Sequence, residues 1–147
     1  MSYPAQHLKQ TLENTQTHLQ ALGALEPLAQ TAPDSATAGF LCQLRAEGRI
    51  FHLKLRLEEK LGLVLCQLYA PITVPPRHRA QAALLCMECT ARVKAGALLL
   101  DPETGAVFAH AEASFRDAPV SGDTLAYLEQ ILLSLLLPNY QALARFA

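Results

Sequence analysis

Apolar residues recur with the period of a helix at both ends of the chain and in its middle. Near the start they stand three and four apart, which predicts a helix over residues 5–22 that ends at Gly23. Residues 24–38 contain two prolines and are predicted to form a loop. A second helix is predicted to begin at Pro75 and Pro76, and a third to be capped by Ser121 and to end at Pro138.

Between these helices, apolar and polar residues alternate with the period of strands. Residues 40–45 and 51–57 predict a hairpin with one apolar and one basic face, whereas the next strand, residues 61–69, is apolar on both faces. Residues 97–100 and 107–115 predict a second hairpin that turns at the sequence DPETG. The predicted fold class is α+β, a twisted antiparallel sheet with packed helices in the order α-β-β-β-α-β-β-α.

The composition suggests that part of the surface is covered by another subunit. Charged residues make up 17% of the 147 residues and apolar residues 51%, so polar cover is thin. We expect a homodimer of a single domain over residues 1–147: an N-terminal helix (1–23), a loop (24–38), a core (39–137) and a C-terminal tail (138–147). The first residues lack the apolar segment of an export signal, and no apolar run would span a bilayer, so a cytoplasmic protein without a membrane partner is expected.

The most recognisable stretch begins with VPP at residues 74–76, leads into the second helix and continues through LLLDPETGAVF at residues 98–108. It resembles the helix and hairpin of the YbjN family. Over residues 38–136 the order of elements is also similar, more distantly, to the type III secretion chaperones. This resemblance implies an α+β fold, dimerisation and a function in holding other proteins, and its motifs are structural rather than catalytic.

The sequence offers little material for catalysis. Cys86 and Cys89 have a spacing that metal and redox motifs use, but zinc needs about four ligands and both thiols fall on an apolar helical stripe. We interpret them, with Cys42 and Cys66, as reduced core residues. The sequence contains no nucleophile elbow, phosphate-binding glycine loop or histidine pair at metal spacing, so we expect no catalytic residue, cofactor, metal or enzymatic activity.

Charge is unevenly distributed along a chain whose net charge is −1. Six basic residues are candidates for contact with an anion or an acidic partner, four on the first hairpin and two at the start of the second helix: Arg45, Arg49, Lys54, Arg56, Arg77 and Arg79. The simpler interpretation is that they are solvated. A nucleic-acid-associated protein using the first hairpin is the alternative function, although Phe40 and Phe51 have the inward parity rather than forming a stacking surface.

The surplus of apolar residues predicts the binding surface. The third strand has no polar face, and the last helix is apolar almost all round. The candidates for contact with a second subunit or a client are Leu63, Leu65, Tyr69, Tyr127, Leu133 and Leu137. Burial of these residues within the monomer is the competing interpretation. We therefore expect a non-enzymatic, homodimeric protein-binding module, either chaperone-like or a regulatory adaptor.

Overall fold

The computed structural model describes residues 3–22, 28–31 and 37–147, which form an antiparallel six-stranded sheet with helices on one face. A 3-10 turn, Pro76–His78, precedes the second helix. The strands stand in the order β1-β2-β3-β4-β6-β5. In chain order the elements are α1 (Ala5–Ala21), β1 (Leu28–Thr31), β2 (Thr37–Ala46), β3 (Arg49–Glu58), β4 (Leu63–Thr73), α2 (Arg79–Ala91), β5 (Ala97–Leu100), β6 (Ala106–Ser114), α3 (Gly122–Leu136) and α4 (Tyr140–Ala144).

The predicted α+β class and the order of its main elements are confirmed, and the structure adds to them a short strand and the short helix α4 in the predicted C-terminal tail. Gly23 and most of the predicted loop lie outside the described residues. Within that loop, Leu28–Thr31 pairs with β2 as an edge strand, and β2 itself begins at Thr37, so the loop prediction is wrong at these positions. The segment LAQT has two apolar residues followed by two polar ones, so it shows no alternation that would predict a strand.

The core lies between the sheet and its helices. The side chains of Phe51, Leu53, Leu55 and Leu57 on β3 are fully buried, and the register sets Leu55 between Phe40 and Cys66. Burying one such leucine contributes roughly 1.5–3 kcal/mol. Phe40 and Phe51 both point inward, as their parity predicts.

Small residues of β6 allow α3 to approach the sheet closely. Ala109 and Ala111 are buried under this helix, as the row of alanines on the strand predicts. The Ser121 Oγ accepts a hydrogen bond from the Thr124 N–H (3.2 Å), which confirms the predicted N-cap of α3. The sequence therefore determines both the surface on which α3 packs and the residue at which it begins.

Helix α1 is fastened to the β6–α3 connection by polar side chains. The His7 Nδ1 lies 3.0 Å from the carbonyl oxygen of Phe115, and the Val120 N–H donates to the Thr11 Oγ1 (3.0 Å). The Asn14 Nδ2 donates to the Val120 carbonyl (3.0 Å). Thr11 and Thr15 are buried together with Leu19, so the buried side of α1 is partly polar.

The DPETG turn joins the second hairpin to the start of α2. The Asp101 Oδ1 accepts the Glu103 N–H (2.9 Å), and the Gly105 carbonyl accepts the Val74 N–H (2.9 Å). The Arg79 guanidinium donates to the carbonyls of Val74, Pro102 and Glu103. The motif that carries the family resemblance is thus a structural junction.

Gly105→Ala should destabilise the protein more than Gly48→Ala. Both glycines have a left-handed backbone, at φ 78° and 75°, which costs an alanine about 1–2 kcal/mol. At Gly48 a Cβ would meet no other atom within 4 Å, whereas at Gly105 it would lie 2.1 Å from the Val74 carbonyl oxygen. Urea unfolding of both variants measures the difference in the free energy of unfolding. Equal decreases in the two variants would show that the backbone around Gly105 can move to accommodate a methyl group.

The four cysteines are free and buried, and Cys86 and Cys89 lie on the buried side of α2, which confirms their predicted position. Replacing either by serine should lower the free energy of unfolding by about 1–3 kcal/mol, since a hydroxyl would be buried in an apolar site. The control is Glu88→Ser, an exposed position between them, which should change stability little. Stoichiometric zinc in the purified protein, lost in the double variant, would contradict this assignment.

Candidate protein-binding surface

The face of the sheet opposite the helices, here called the outer face, lacks a helical cover in the part of the chain that the structure describes. It consists of alternate residues of neighbouring strands: Arg56 stands between Gly39 and Leu65, and Leu65 stands beside Glu112. The sequence predicts that both sides of β4 are covered. The structure supplies that cover on the inner side, and the outer side stays half-buried.

Four apolar side chains on β4 and β6 form what we call the sheet patch: Leu63, Leu65, Tyr69 and Phe108. The rings of Tyr69 and Phe108 stack with centroids 4.8 Å apart and planes at 25°. All four side chains are half-buried although none is part of the hydrophobic core. Stacked aromatic rings and leucines on an open sheet provide the kind of apolar area that binding surfaces use.

A hydrogen-bond network crosses the outer face and includes Tyr69 of the sheet patch. The Tyr69 hydroxyl donates to the Gln67 Oε1 (3.0 Å), and the Gln67 Nε2 lies 3.3 Å from the His110 Nδ1. The His110 Nε2 lies 3.3 Å from the Glu112 Oε2. Burial raises the pKa of the Tyr69 hydroxyl, which therefore remains a hydrogen-bond donor at neutral pH. The network therefore holds the Tyr69 side chain in place in the free protein.

Basic residues border the sheet patch on one side. Arg45, Lys54 and Arg56 share the outer face as predicted, and Arg56 forms an ion pair with Glu58 (2.9 Å). Arg49 does not share it: this residue has the inward parity, and its guanidinium lies 4.1 Å from the centre of the Tyr140 ring. The predicted basic face therefore loses one member, because the alternation of β3 places Arg49 on the helix side.

The two arginines at the start of the second helix stand apart from that face. Arg77 is exposed in the 3-10 turn, so the first turn of the predicted helix is not α-helical. Arg79 begins α2, and its guanidinium is engaged by the three carbonyls described above. The six predicted cations thus do not form one site.

The predicted contacts on α3 differ in exposure. The Tyr127 side chain is 62% exposed, whereas Leu133 and Leu137 are partly buried against the hydrophobic core. Contact of these three residues with a partner remains a prediction, and Tyr127 is the most accessible of them.

The sequence interpretation missed an apolar surface on α2, here called the α2 stripe: Ala80, Leu84, Met87 and Ala91. Leu84 and Met87 are 56% and 68% exposed, and the spacing of four, three and four places all four residues along one line of the helix. The predicted core stripe of this helix drew attention to Cys86 and Cys89 instead. The available signal was that Leu84 and Met87 are apolar residues outside that predicted core stripe.

The buried thiols of the described chain are not activated for chemistry. Burial, assisted by Glu129, raises the pKa of Cys42 to about 11 and of Cys66 to about 12, so both thiols are protonated at neutral pH. Within residues 3–22, 28–31 and 37–147, no cluster of three metal-binding side chains occurs, and no helix there is long and apolar enough to cross a membrane.

The sequence interpretation also missed a buried hydrogen-bonded pair between α1 and α3. The His18 Nε2 lies 2.8 Å from the Glu129 Oε2, and the two side chains are 11% and 9% exposed. Burial raises the pKa of Glu129 above its usual 4.5, and the hydrogen bond from His18 opposes this in part. No pattern marks a glutamate among leucines as buried.

Comparison with known proteins shows the fold. YbjN from E. coli, described as a candidate transcription regulator, has a TM-score of 0.56 and 17% identity, with 89% of this chain and 93% of that chain covered. A chain of the HopA1–SchA chaperone–effector complex has a TM-score of 0.53 and 16% identity, with 88% and 91% covered. The predicted resemblance of fold is confirmed. No family model and no curated protein matches the chain.

Glu129→Gln should change how stability depends on pH. A raised pKa means that the folded protein binds this proton more tightly, so the contribution of Glu129 is favourable below pH 4.5 and is lost as the pH rises through its folded-state pKa. Glutamine can still accept from His18 without burying a charge. The stability of the variant relative to the wild type should therefore increase between about pH 4 and pH 8 in urea unfolding.

The matched control is Glu112→Gln, which alters a similar His–Glu pair whose carboxylate side chain is 53% exposed. Its relative stability should vary little with pH, since solvent screens an exposed pair. A flat profile for Glu129→Gln would show that burial does not penalise this carboxylate.

Proposed function

We propose that the protein is a non-enzymatic, homodimeric protein-binding module of the cytoplasm, chaperone-like or a regulatory adaptor, and that the sheet patch contacts its protein partner. The observation that carries this proposal is the uncovered outer face. It presents Leu63, Leu65, Tyr69 and Phe108 in the middle of a sheet whose other face is packed by helices. The likeness in fold to a chain of a chaperone–effector complex supports a role in holding another protein.

The border of the sheet patch suggests how a partner would be oriented. Lys54 and Arg56 lie on β3, and Glu112 lies beyond Leu65 on β6. Charges at the rim of an interface contribute to orientation and association rate more than to affinity. The apolar centre would supply most of the affinity, since rim charges remain solvated.

We place the dimer contact on the α2 stripe. Four apolar residues along one line of a helix suit packing against the same helix of a second copy, because a two-fold axis makes each stripe the partner of the other. A stable interface buries more than about 1,000 Å² in total, so residues flanking α2 would have to contribute as well. The sheet patch and the stripe lie on different sides of the sheet, which leaves one free while the other is occupied.

The absence of catalysis is proposed from the state of the polar groups. The buried thiols are held protonated, and the carboxylate of Glu129 is engaged by His18 within the core. His7 and His78 contact backbone carbonyls. Side chains satisfied in this way stabilise structure and leave no activated nucleophile among them.

Leu65→Glu should abolish partner capture, and Leu84→Glu should abolish the dimer, each without unfolding the protein. A charge in the centre of an apolar interface is left without a partner when the interface closes. The measurements are light scattering for subunit mass, thermal unfolding, and affinity capture from the native lysate at about 50 and 200 mM salt. Gln43→Glu, exposed on the outer face away from the patch, is the control and should behave as the wild type.

A single-subunit mass for the wild type would contradict the homodimer. Retention of the captured protein by Leu65→Glu would exclude the sheet patch, and an intact dimer of Leu84→Glu would exclude the stripe. Capture that falls by a factor of about 10³ or more between the two salt concentrations would instead indicate phosphate contacts and favour the nucleic-acid alternative.

A further inference from the structure

Strand β5 is shorter than the strand beside it and leaves part of β6 without a neighbour. The register pairs Ala97 with His110 and Leu100 with Val107, whereas β6 continues to Ser114. At Gly96 the backbone has φ 78° and turns towards α3, where a Cβ would lie 2.6 Å from Ile131. Beyond Ala97, the described residues therefore place no paired strand beside residues 112–114 on this side of β6.

The hydrogen bonds of β6 show which of its backbone groups point towards this edge. The Asp101 N–H donates to the Ala106 carbonyl across the hairpin, and the Phe115 N–H donates to the Gly62 carbonyl on the side of β4. Because hydrogen-bonding directions alternate along a strand, the backbone N–H and C=O groups of even-numbered β6 residues point to the side on which β5 pairs. The backbone groups of Glu112 and Ser114 consequently point to the open edge, where the described residues provide no strand to pair with them.

A groove of about 390 Å³ adjoins the same edge. One wall is the end of β6, and the other is α3, which contributes the exposed Tyr127 and the buried Leu128. The lining is mainly apolar, and the carboxylate of Glu112 stands at its margin.

We propose that this edge and groove bind an extended segment of a partner protein as an added strand, in which apolar and basic residues alternate. This inference rests on the proposed protein-binding function and names a second contact for it. The backbone of Glu112 would pair with the added strand, as in other cases of strand addition to a sheet edge. The groove would take an apolar side chain of the segment.

The alternation follows from the parity of β6. A residue opposite Ala111 points to the helix side and enters the groove beside Tyr127 and Leu128, whereas a residue opposite Glu112 points to the outer face. The exposed carboxylate of Glu112 favours a lysine or arginine at that place. The bound segment therefore has the pattern apolar, basic, apolar.

The test uses a peptide acetylated and amidated at its ends, in which three valines alternate with two lysines. NMR titration of the full chain should show saturable binding and shifted amide signals at Glu112 and Ser114. A peptide with glutamate in place of lysine should bind more weakly. Glu112→Pro should weaken binding about tenfold relative to Glu112→Ala, since both lose the carboxylate and only proline loses the N–H.

The outcomes separate the occupants of the edge. Absence of saturable peptide binding, or equal binding by the proline and alanine variants, overturns the proposal. A halved subunit mass of Glu112→Pro in light scattering would show that a second copy occupies the edge, which also overturns it. Thermal unfolding checks that the proline variant is folded, and if it is not, a valine–lysine peptide N-methylated on its central backbone replaces it as the test. Leu65 lies beside Glu112, so the two proposals are separated by their readouts. The comparison of proline with alanine at Glu112 removes a backbone N–H that the sheet patch does not use, so its failure is distinguishable from a failure of partner capture.

Discussion

A sheet has two faces, and the helices of the described chain fill one of them. The alternation along β3 commits its odd-numbered residues to the core, where Leu53 and Leu55 are fully buried, and therefore commits the even-numbered ones to the other side. A shift of register by one residue would exchange the two sets, so the burial of one face fixes what the other displays. The packing of α3 on the alanines of β6 and the position of the sheet patch both follow from this constraint.

The periphery is held by polar contacts as well as by apolar area. Helix α1 depends on His7, Thr11 and Asn14, and on the buried pair of His18 with Glu129. The network through Gln67 and His110 orders the outer face in the same manner. Such networks require all members to be satisfied, which makes them specific in geometry and sensitive to the loss of one member.

The sequence was sufficient to predict features that follow from the spacing of apolar residues along the chain. It was insufficient for features that depend on contacts between residues distant in sequence. Alternation predicted the hairpins and the inward Phe51, and a serine before an apolar helix predicted the cap at Ser121. It could not predict that Arg79 would serve the DPETG turn, because that contact joins residues distant in sequence. Nor could it predict the exposure of Met87, since the side of α2 that meets the sheet is decided by packing. For the candidate surface, the parity of β4 correctly placed Leu63 and Leu65 on the outer face, while the stacking partner Phe108 comes from another strand.

The central claim is that the outer face is open in the free protein and covered in the complex. Hydroxyl-radical footprinting measures this directly, because aromatic side chains are labelled in proportion to their access to solvent. Tyr69 and Phe108 should be labelled in the free protein and protected once the captured partner is added, while the buried Tyr3 serves as an internal reference. Equal labelling of Tyr69 and Phe108 in the free protein and in the complex would contradict the claim.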